Sequence, residues 1–596
     1  MTLNVSVTPE MPGPPGEPAL ASPGALARAR RLTLEATALP ARWQGRSSIT
    51  VLDTSFGCGL NLLAAWDALR GDRDGRARLN YVALAVHPYT RSDLTGILSH
   101  LPELRPLAVG LAAVWPPPIS GFHRVQLDAG RVSLTLLFGE MRASLAALDA
   151  KVDAFILDQS GGQEHSELWS PEALQELARL AAPGATLATR TATAGARAAL
   201  EGAGFRVTRR EAKDGAESLL TATFPGTSAL SATPRQAIVV GAGLAGTLCA
   251  DRLASRGISV TLIDPLARRE AGAIGLLRPI ANLRDATNAR LSRPAFLYAL
   301  QHFRNLQQEG YHLAWGRCGA LHLAEGDDEA ERFSAIASAQ GYPQEFLRFV
   351  DSGEARQLAG REVRGPGWWI ASGAWVAHES LSVATFARAG TLVERRTGTA
   401  VASLERDGGE WQALDGKGSS IARAPVVVLA NAADCARFAL ASRLILNRVR
   451  GQVSYLPASL ARTLETIVCG SGYVAPMPDG GHCLGATFQN DDPDGAVRAA
   501  DHRENLARAE AMLPGFCAGL HPMGLDGWTG FRTTTHDRLP VFGRLDVGLY
   551  AATGLGSRGL LWGPLGAELI ASDVAGDPVP LPRVLAGAVS PARFRS

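Results

Sequence analysis

Residues able to bind a dinucleotide stand together near the middle of the chain. Ala237-Ile238-Val239-Val240 is an apolar, largely β-branched run, Gly241-Ala242-Gly243-Leu244-Ala245-Gly246 follows at once, and Thr247 to Ser255 has helical text. Gly241, Gly243 and Gly246 thus form GxGxxG in the context that gives it meaning, strand before and helix after. The glycines let the backbone turn tightly and approach a pyrophosphate, whose charge rests on the helix N-terminus. A second strand, Ser259 to Ile263, ends in Asp264, placed to accept hydrogen bonds from an adenosine ribose. Far along the chain the same design recurs: strand text Leu549 to Thr553, then Gly554-Leu555-Gly556-Ser557-Arg558-Gly559, then a helix through Glu568. A second set of backbone N–H groups and a second helix dipole suit a flavin ring, and a nicotinamide site would not need them. FAD is therefore the expected cofactor, with Gly241, Gly243, Gly246, Asp264, Gly554, Gly556, Ser557 and Gly559 around it.

These junctions need elements to hold them, in a chain of 596 residues that is too long for one core. With 46% hydrophobic and 19% charged residues the composition is that of a soluble globular protein. The net charge of +2 neither demands nor excludes nucleic acid. The seven cysteines lie far apart without zinc-like or paired spacing, so neither a metal nor a disulfide framework is expected. No signal peptide and no long apolar run is visible, which predicts a cytoplasmic protein without membrane contact. Residues 1–25 read as a flexible Pro/Gly/Ala tail. In 26–225, strand text at Ile49–Leu52, Tyr81–Val86, Val132–Leu137, Ala154–Leu157 and Thr186–Thr189 alternates with helical text, which implies a parallel sheet. The loose stretch Pro225 to Pro234 separates this domain from 235–596. There, helical text mixes with alternating strands such as Gly451–Leu456 and Cys483–Phe488, the pattern of an FAD-binding Rossmann domain interleaved with an α+β substrate domain.

The second half resembles the D-amino-acid-oxidase-like flavoproteins. Within them it is similar to the oxidoreductase half of the MnmC family of bifunctional tRNA-modifying proteins. Besides the two glycine junctions, the match is carried by Gly275-Leu276-Leu277-Arg278-Pro279, Val449-Arg450-Gly451-Gln452-Val453-Ser454 and Gly530-Phe531-Arg532-Thr533-Thr534-Thr535-His536-Asp537-Arg538-Leu539-Pro540. The resemblance implies oxidation of a secondary amine, the 5-carboxymethylaminomethyl group of a wobble uridine in tRNA, with glyoxylate leaving. Arg532 is the candidate anchor for the substrate carboxylate, because guanidinium grips carboxylate with two hydrogen bonds. The alternative is an Arg532 that only pairs with Asp537. Arg558 is the candidate to balance negative charge on reduced flavin, or else a structural arginine. A tRNA substrate predicts a basic surface around the flavin opening, from Arg443, Arg448, Arg450 and Arg538.

The first half resembles the class I methyltransferase half of the same family. Strand Ile49–Leu52 runs into Asp53-Thr54-Ser55-Phe56-Gly57-Cys58-Gly59, where such enzymes place an acid and a glycine loop for S-adenosylmethionine, and Asp53, Gly57 and Gly59 are the expected contacts. Asp158, after the strand Ala154–Leu157, is the candidate to orient the substrate amine or take its proton. It is otherwise an acid ending a buried strand. Departures cluster here: Ser55 replaces a loop glycine, and Ala85 stands where the family has a glutamate for the cofactor ribose. Loss of such a charged acceptor lowers affinity roughly ten- to hundred-fold, so a retained methyltransferase fold with weakened or absent activity is expected. The rival function is an oxidase of small free amines such as glycine or sarcosine, with the first half as a binding module.

Overall fold

In the computed structural model the described residues are 23–72, 77–157, 167–210, 218–227, 233–266, 274–460 and 462–594. They divide into two compact units, one reaching to Thr233 and taking in Ser572–Ala586, the other comprising Pro234–Ala571 and the residues from Gly587 onward.

The first unit is built on an eight-stranded sheet whose centre is parallel. Ser48–Asp53 lies between Arg78–Ala85 and Val152–Leu157, with Val132–Phe138 and Ala181–Thr189 outside them. Three antiparallel strands complete the edges, Gly121–Leu127 on one side and Leu219–Thr223 with Arg206–Arg210 on the other. Both faces of the parallel part are covered by helices, so its strands are apolar without interruption; Val132–Phe138 and Val152–Leu157 are buried at every position. The helices Pro171–Leu180 and Ala194–Gly202 are each capped by a hydroxyl, Ser170 for the first and Thr193 for the second. The helix Pro23–Arg30 begins inside the stretch expected as a tail, 1–25, and Ala25 and Leu26 join the first core; residues 1–22 lie outside the described residues.

The segment Ser572–Ala586 follows the second glycine junction in sequence, yet packs with the first unit. A buried charged pair and backbone hydrogen bonds join it there. Asp577, whose side chain is fully buried, receives Arg78 Nη1 at 2.7 Å, Arg78 Nη2 at 3.2 Å and Asn80 Nδ2 at 2.9 Å. Arg124 donates to the carbonyl of Pro578, and the Val579 N–H donates to Asp149 O at 3.0 Å.

The second unit has two main sheets, and the chain passes between them more than once. Six strands make the nucleotide-binding sheet in the order Val393–Thr397, Ser259–Asp264, Gln236–Val240, Val426–Leu429, Leu549–Thr553 and Val541–Asp546. All its pairings are parallel except the last. The residues between these strands supply a nine-stranded mixed sheet, in which residues 446–455 of the strand Leu446–Leu456 pair with Asp526–Thr535 along its whole length. This is the interleaving of an FAD-binding Rossmann fold with an α+β domain. The helix Ala499–Met512 covers one face of the mixed sheet, burying Leu506, Ala509 and Met512 against Val468, Val474 and Leu484.

Candidate flavin and substrate site

The two glycine junctions meet. Gly241 holds φ at +102°, and a Cβ there would fall 2.7 Å from the Ala430 carbonyl oxygen, at the end of the neighbouring strand. A Cβ on Gly246 would lie 1.8 Å from the Gly241 oxygen. Gly243 sits at the N-cap of the helix Leu244–Ala254. The Asp264 carboxylate is buried and fastens this turn, accepting from Ala242 N–H at 2.6 Å and Leu266 N–H at 2.9 Å. Gly559 opens the second helix, and a Cβ there would approach Leu244 to 2.9 Å, so the two helix N-termini abut. Gly554 and Gly556 both have positive φ, Ser557 is exposed, and Gly556 N–H donates to Thr533 O at 2.8 Å. That bond ties the loop to the strand carrying Arg532. Because Gly246 has no room for a methyl group, Gly246→Ala is expected to push the turn open and lower FAD affinity about 5- to 150-fold, since forced overpacking costs about 1–3 kcal/mol. The ratio of flavin to protein absorbance checks it, with circular dichroism unchanged.

The mixed sheet offers a second row of functional groups. His322, Cys469, Tyr473, Gly485, Val453 and Trp528 are successive partners across the strands, so their side chains share one face. Arg532, four residues beyond Trp528 on the same strand, faces the same way. Glycines make room for the large groups: a Cβ on Gly451 would fall 1.9 Å from Arg532 Nη1, one on Gly530 2.1 Å from the Trp528 ring, and one on Gly485 3.0 Å from the Tyr473 hydroxyl. The other face is structural. Arg450, expected in a basic surface, is fully buried there and donates to Asp501 at 2.7 Å, Gln489 at 2.7 Å and the backbone of Asp494. Strand alternation turns it toward the covering helix. Arg448 and Arg538 are exposed, Arg448 over the Phe531 ring, while Arg443 is partly buried and donates to Leu545 O.

Arg532 has no carboxylate partner among the described residues. Its Nη1 donates to Thr487 O at 3.1 Å, and its guanidinium carbon lies 4.3 Å from the Phe488 ring centre. Asp537, the partner in the structural alternative, is held by Arg593 at 2.8 Å. Burial lowers the pKa of Arg532, with Tyr473 opposing, and an arginine so placed stays charged at neutral pH. Arg558 stands at the mouth of the second junction, just before Gly559. Burial first, and then the Arg278 guanidinium, push it down to about 10. Arg278 donates to His322 Nδ1 at 3.3 Å. A guanidinium can only donate, so Nδ1 holds the lone pair and the ring is neutral with its proton on Nε2; burial and the two arginines hold His322 well below its ordinary pKa. Neither Arg278 nor Arg558 meets a carboxylate among the described residues.

Two partly buried cations without counter-charge, beside two helix N-termini whose glycines leave no space for side chains, fit an anionic dinucleotide with a flavin ring. The first unit fits its cofactor less completely. Asp53 is buried at the end of its strand and already accepts from Tyr81 OH at 2.7 Å, Ser55 N–H at 3.0 Å and Asn61 Nδ2 at 3.1 Å. Gly57 and Gly59 have the positive φ of a tight loop, at +53° and +85°. Ala85 ends the adjacent strand and brings no acid. Asp158 lies outside the described residues. Among those residues no cluster of His, Cys, Asp or Glu could hold a metal ion, and no single helix is long and apolar enough to cross a membrane.

Sequence reading passed over Tyr473, His322 and Phe488 and gave Arg278 no role. The available signal was the set of glycines inside strands, Gly451, Gly485 and Gly530, which mark where large side chains cross.

Residues 236–572 match the family of FAD dependent oxidoreductases, and residues 102–224 match a family of S-adenosyl-L-methionine-dependent methyltransferases. These descriptions give the two halves their cofactors. Among solved structures, the iminodiacetate oxidase of Chelativorans sp. BNC1 is 26% identical with a TM-score of 0.51, covering 60% of this chain and 98% of its own. The glycine oxidase of Geobacillus kaustophilus, 24% identical with a TM-score of 0.50 over 58% of this chain and 95% of its own, shares the fold of the second unit. Across both halves the chain is 42% identical over 596 residues to a protein of Aromatoleum aromaticum and 40% identical over 597 residues to one of Azoarcus sp. (strain BH72), in each case covering 96% of this chain and 94% of the relative. Both relatives carry the same description, and with matches of this length the chain belongs to the family of tRNA 5-methylaminomethyl-2-thiouridine biosynthesis bifunctional proteins, MnmC.

Proposed function

We propose that the second unit oxidises the carboxymethylaminomethyl side chain of a tRNA wobble uridine to the aminomethyl form, and that the first unit methylates the product. The observation that carries the oxidase reading is Arg532, a partly buried guanidinium with no acid partner among the described residues, on the strand that touches the second glycine junction. It grips the substrate carboxylate and sets the adjacent CH2–NH bond for loss of hydride. FAD, when bound, supplies the two-electron acceptor. Gly241, Gly243, Gly246 and Asp264 hold its dinucleotide part, Gly554, Gly556, Ser557 and Gly559 its ring side, and Arg558 with Arg278 balances the charge that reduction adds. Water then adds to the substrate imine, and its collapse releases glyoxylate and the aminomethyl-uridine. The iminodiacetate oxidase is named for a substrate with the same N-carboxymethyl group, which supports this chemistry.

Free small amines are the less favoured substrates, because the full-length relatives are named for tRNA modification. A tRNA substrate places the work in the cytoplasm. In the first unit Asp53, Gly57 and Gly59 form the S-adenosylmethionine loop and Asp158 orients the amine. With Ala85 at the ribose position, methylation is the weaker activity.

Incubating the protein with carboxymethylaminomethyl-uridine tRNA, with and without S-adenosylmethionine, and identifying nucleosides by mass spectrometry tests both halves. The expected product is aminomethyl-uridine in both samples, with slow conversion to methylaminomethyl-uridine only where the methyl donor is present. Unchanged tRNA overturns the oxidase reading, and rapid complete methylation overturns the weak one.

A further inference from the structure

Phe488 presents an aromatic ring to solvent directly beside the carboxylate anchor, and we infer that it stacks the pyrimidine base whose side chain Arg532 reads. Its exposure is 56%, unusual for a phenylalanine next to a partly buried guanidinium. Sequence alternation places it in a strand, but the strand His482–Gly485 ends before it, and Thr487 is pinned because its carbonyl accepts from Arg532 Nη1 and its hydroxyl oxygen accepts from the Gln452 N–H. Those contacts leave the ring with its centre 4.3 Å from the Arg532 guanidinium carbon and more than half of the side chain open to solvent.

Distances favour one occupant. A base on the outer face would lie about 3.5 Å from the ring, hence about 8 Å from the guanidinium beyond it. The arm from C5 of uracil through CH2, NH and CH2 to a carboxylate oxygen spans about 6 Å extended, and a charge-assisted hydrogen bond adds about 2.8 Å. The arm therefore reaches around the ring edge to the guanidinium edge while the base remains stacked. A small secondary amino acid has nothing to lay on Phe488. The inference rests on the oxidase reading above and adds a reason for its selectivity: every base offers a π-face, and stacking on aromatic side chains is how single-stranded nucleotides are commonly held.

Phe488→Leu keeps apolar bulk beside Arg532 but removes the stacking surface, and Phe488→Trp enlarges it. With flavin-loaded enzyme and carboxymethylaminomethyl-uridine tRNA, Phe488→Leu is expected to raise KM about 5- to 150-fold with kcat changed much less, and Phe488→Trp to restore it. Sarcosine, measured as substrate or as competitive inhibitor, is expected to lose much less affinity than tRNA in Phe488→Leu. Equal losses for both ligands would mean that Phe488 merely supports Arg532, and loss of flavin absorbance would assign it to the cofactor; either overturns the inference. Wild-type protein that turns over sarcosine but leaves tRNA untouched would sink the oxidase reading itself, which is distinguishable from a Phe488→Leu variant that handles tRNA like wild type.

Discussion

Replacing Arg532 with methionine is expected to lower kcat/KM for the modified tRNA by about 10²- to 10⁴-fold while leaving FAD bound. The figure follows from two charge-assisted hydrogen bonds at about 1.5–3 kcal/mol each, converted at about 1.4 kcal/mol per tenfold. Methionine preserves the stem that crosses Gly451, so the sheet keeps its packing. Arg532→Lys is the sharper variant. It keeps the charge but loses the planar fork and its fit against the Phe488 ring, and is expected to recover only part of the loss. Steady-state kinetics with a flavin spectrum for each variant decides the matter. Activity within tenfold of wild type in Arg532→Met would remove the arginine from the substrate site and return it to a packing role.

What the sequence disclosed about this site followed the range of the interactions. The junctions at Gly241–Gly246 and Gly554–Gly559 are written in consecutive residues, since a tight turn feeding a helix N-terminus is a local event. Arg532 was legible by type, but its freedom was not: Asp537 stands five residues away, and only the folded chain brings Arg593 to occupy it. Arg450 is the converse. Its text, Val449-Arg450-Gly451-Gln452-Val453-Ser454, alternates as a half-exposed strand should, and alternation alone cannot say that the polar side meets a helix instead of water. Asp501 then supplies the buried partner that periodicity could not reveal. Phe488 was assigned to a strand that ends at Gly485, and its exposure depends on that early ending. In the first half the parallel strands were readable from their apolar runs, whereas the antiparallel edges were not: Arg206–Arg210 and Leu219–Thr223 are short, and Gly121–Leu127 is interrupted by His123, Arg124 and Gln126.

The least legible feature predicts the largest change in stability. Arg78 and Asp577 are separated by 499 residues, and nothing near either one announces the other. Their pair is almost wholly out of water, with side-chain exposures of 10% and 0%. Removing one member of a buried pair leaves an uncompensated charge and costs about 3–5 kcal/mol, more than the pair itself contributes. Asp577→Ala is therefore expected to lower the unfolding temperature of the first unit by roughly 10 °C, at about 2–4 °C per kcal/mol for a unit of this size. Flavin release, monitored separately by fluorescence, reports the second unit and is expected to move little. The double variant Arg78→Met/Asp577→Leu removes both charges and is expected to recover most of the loss, because well-packed apolar replacements of buried pairs are often neutral. A double variant as unstable as Asp577→Ala would show that the segment matters through its backbone contacts at Pro578 and Val579. An unshifted Asp577→Ala would show that the buried pair is dispensable to the first unit. By the same logic a fragment ending at Thr233 loses the carboxylate that Arg78 and Asn80 share, so the methyltransferase half expressed alone is expected to be markedly less stable than in the full chain, and adding back residues 572–586 on a linker to restore it.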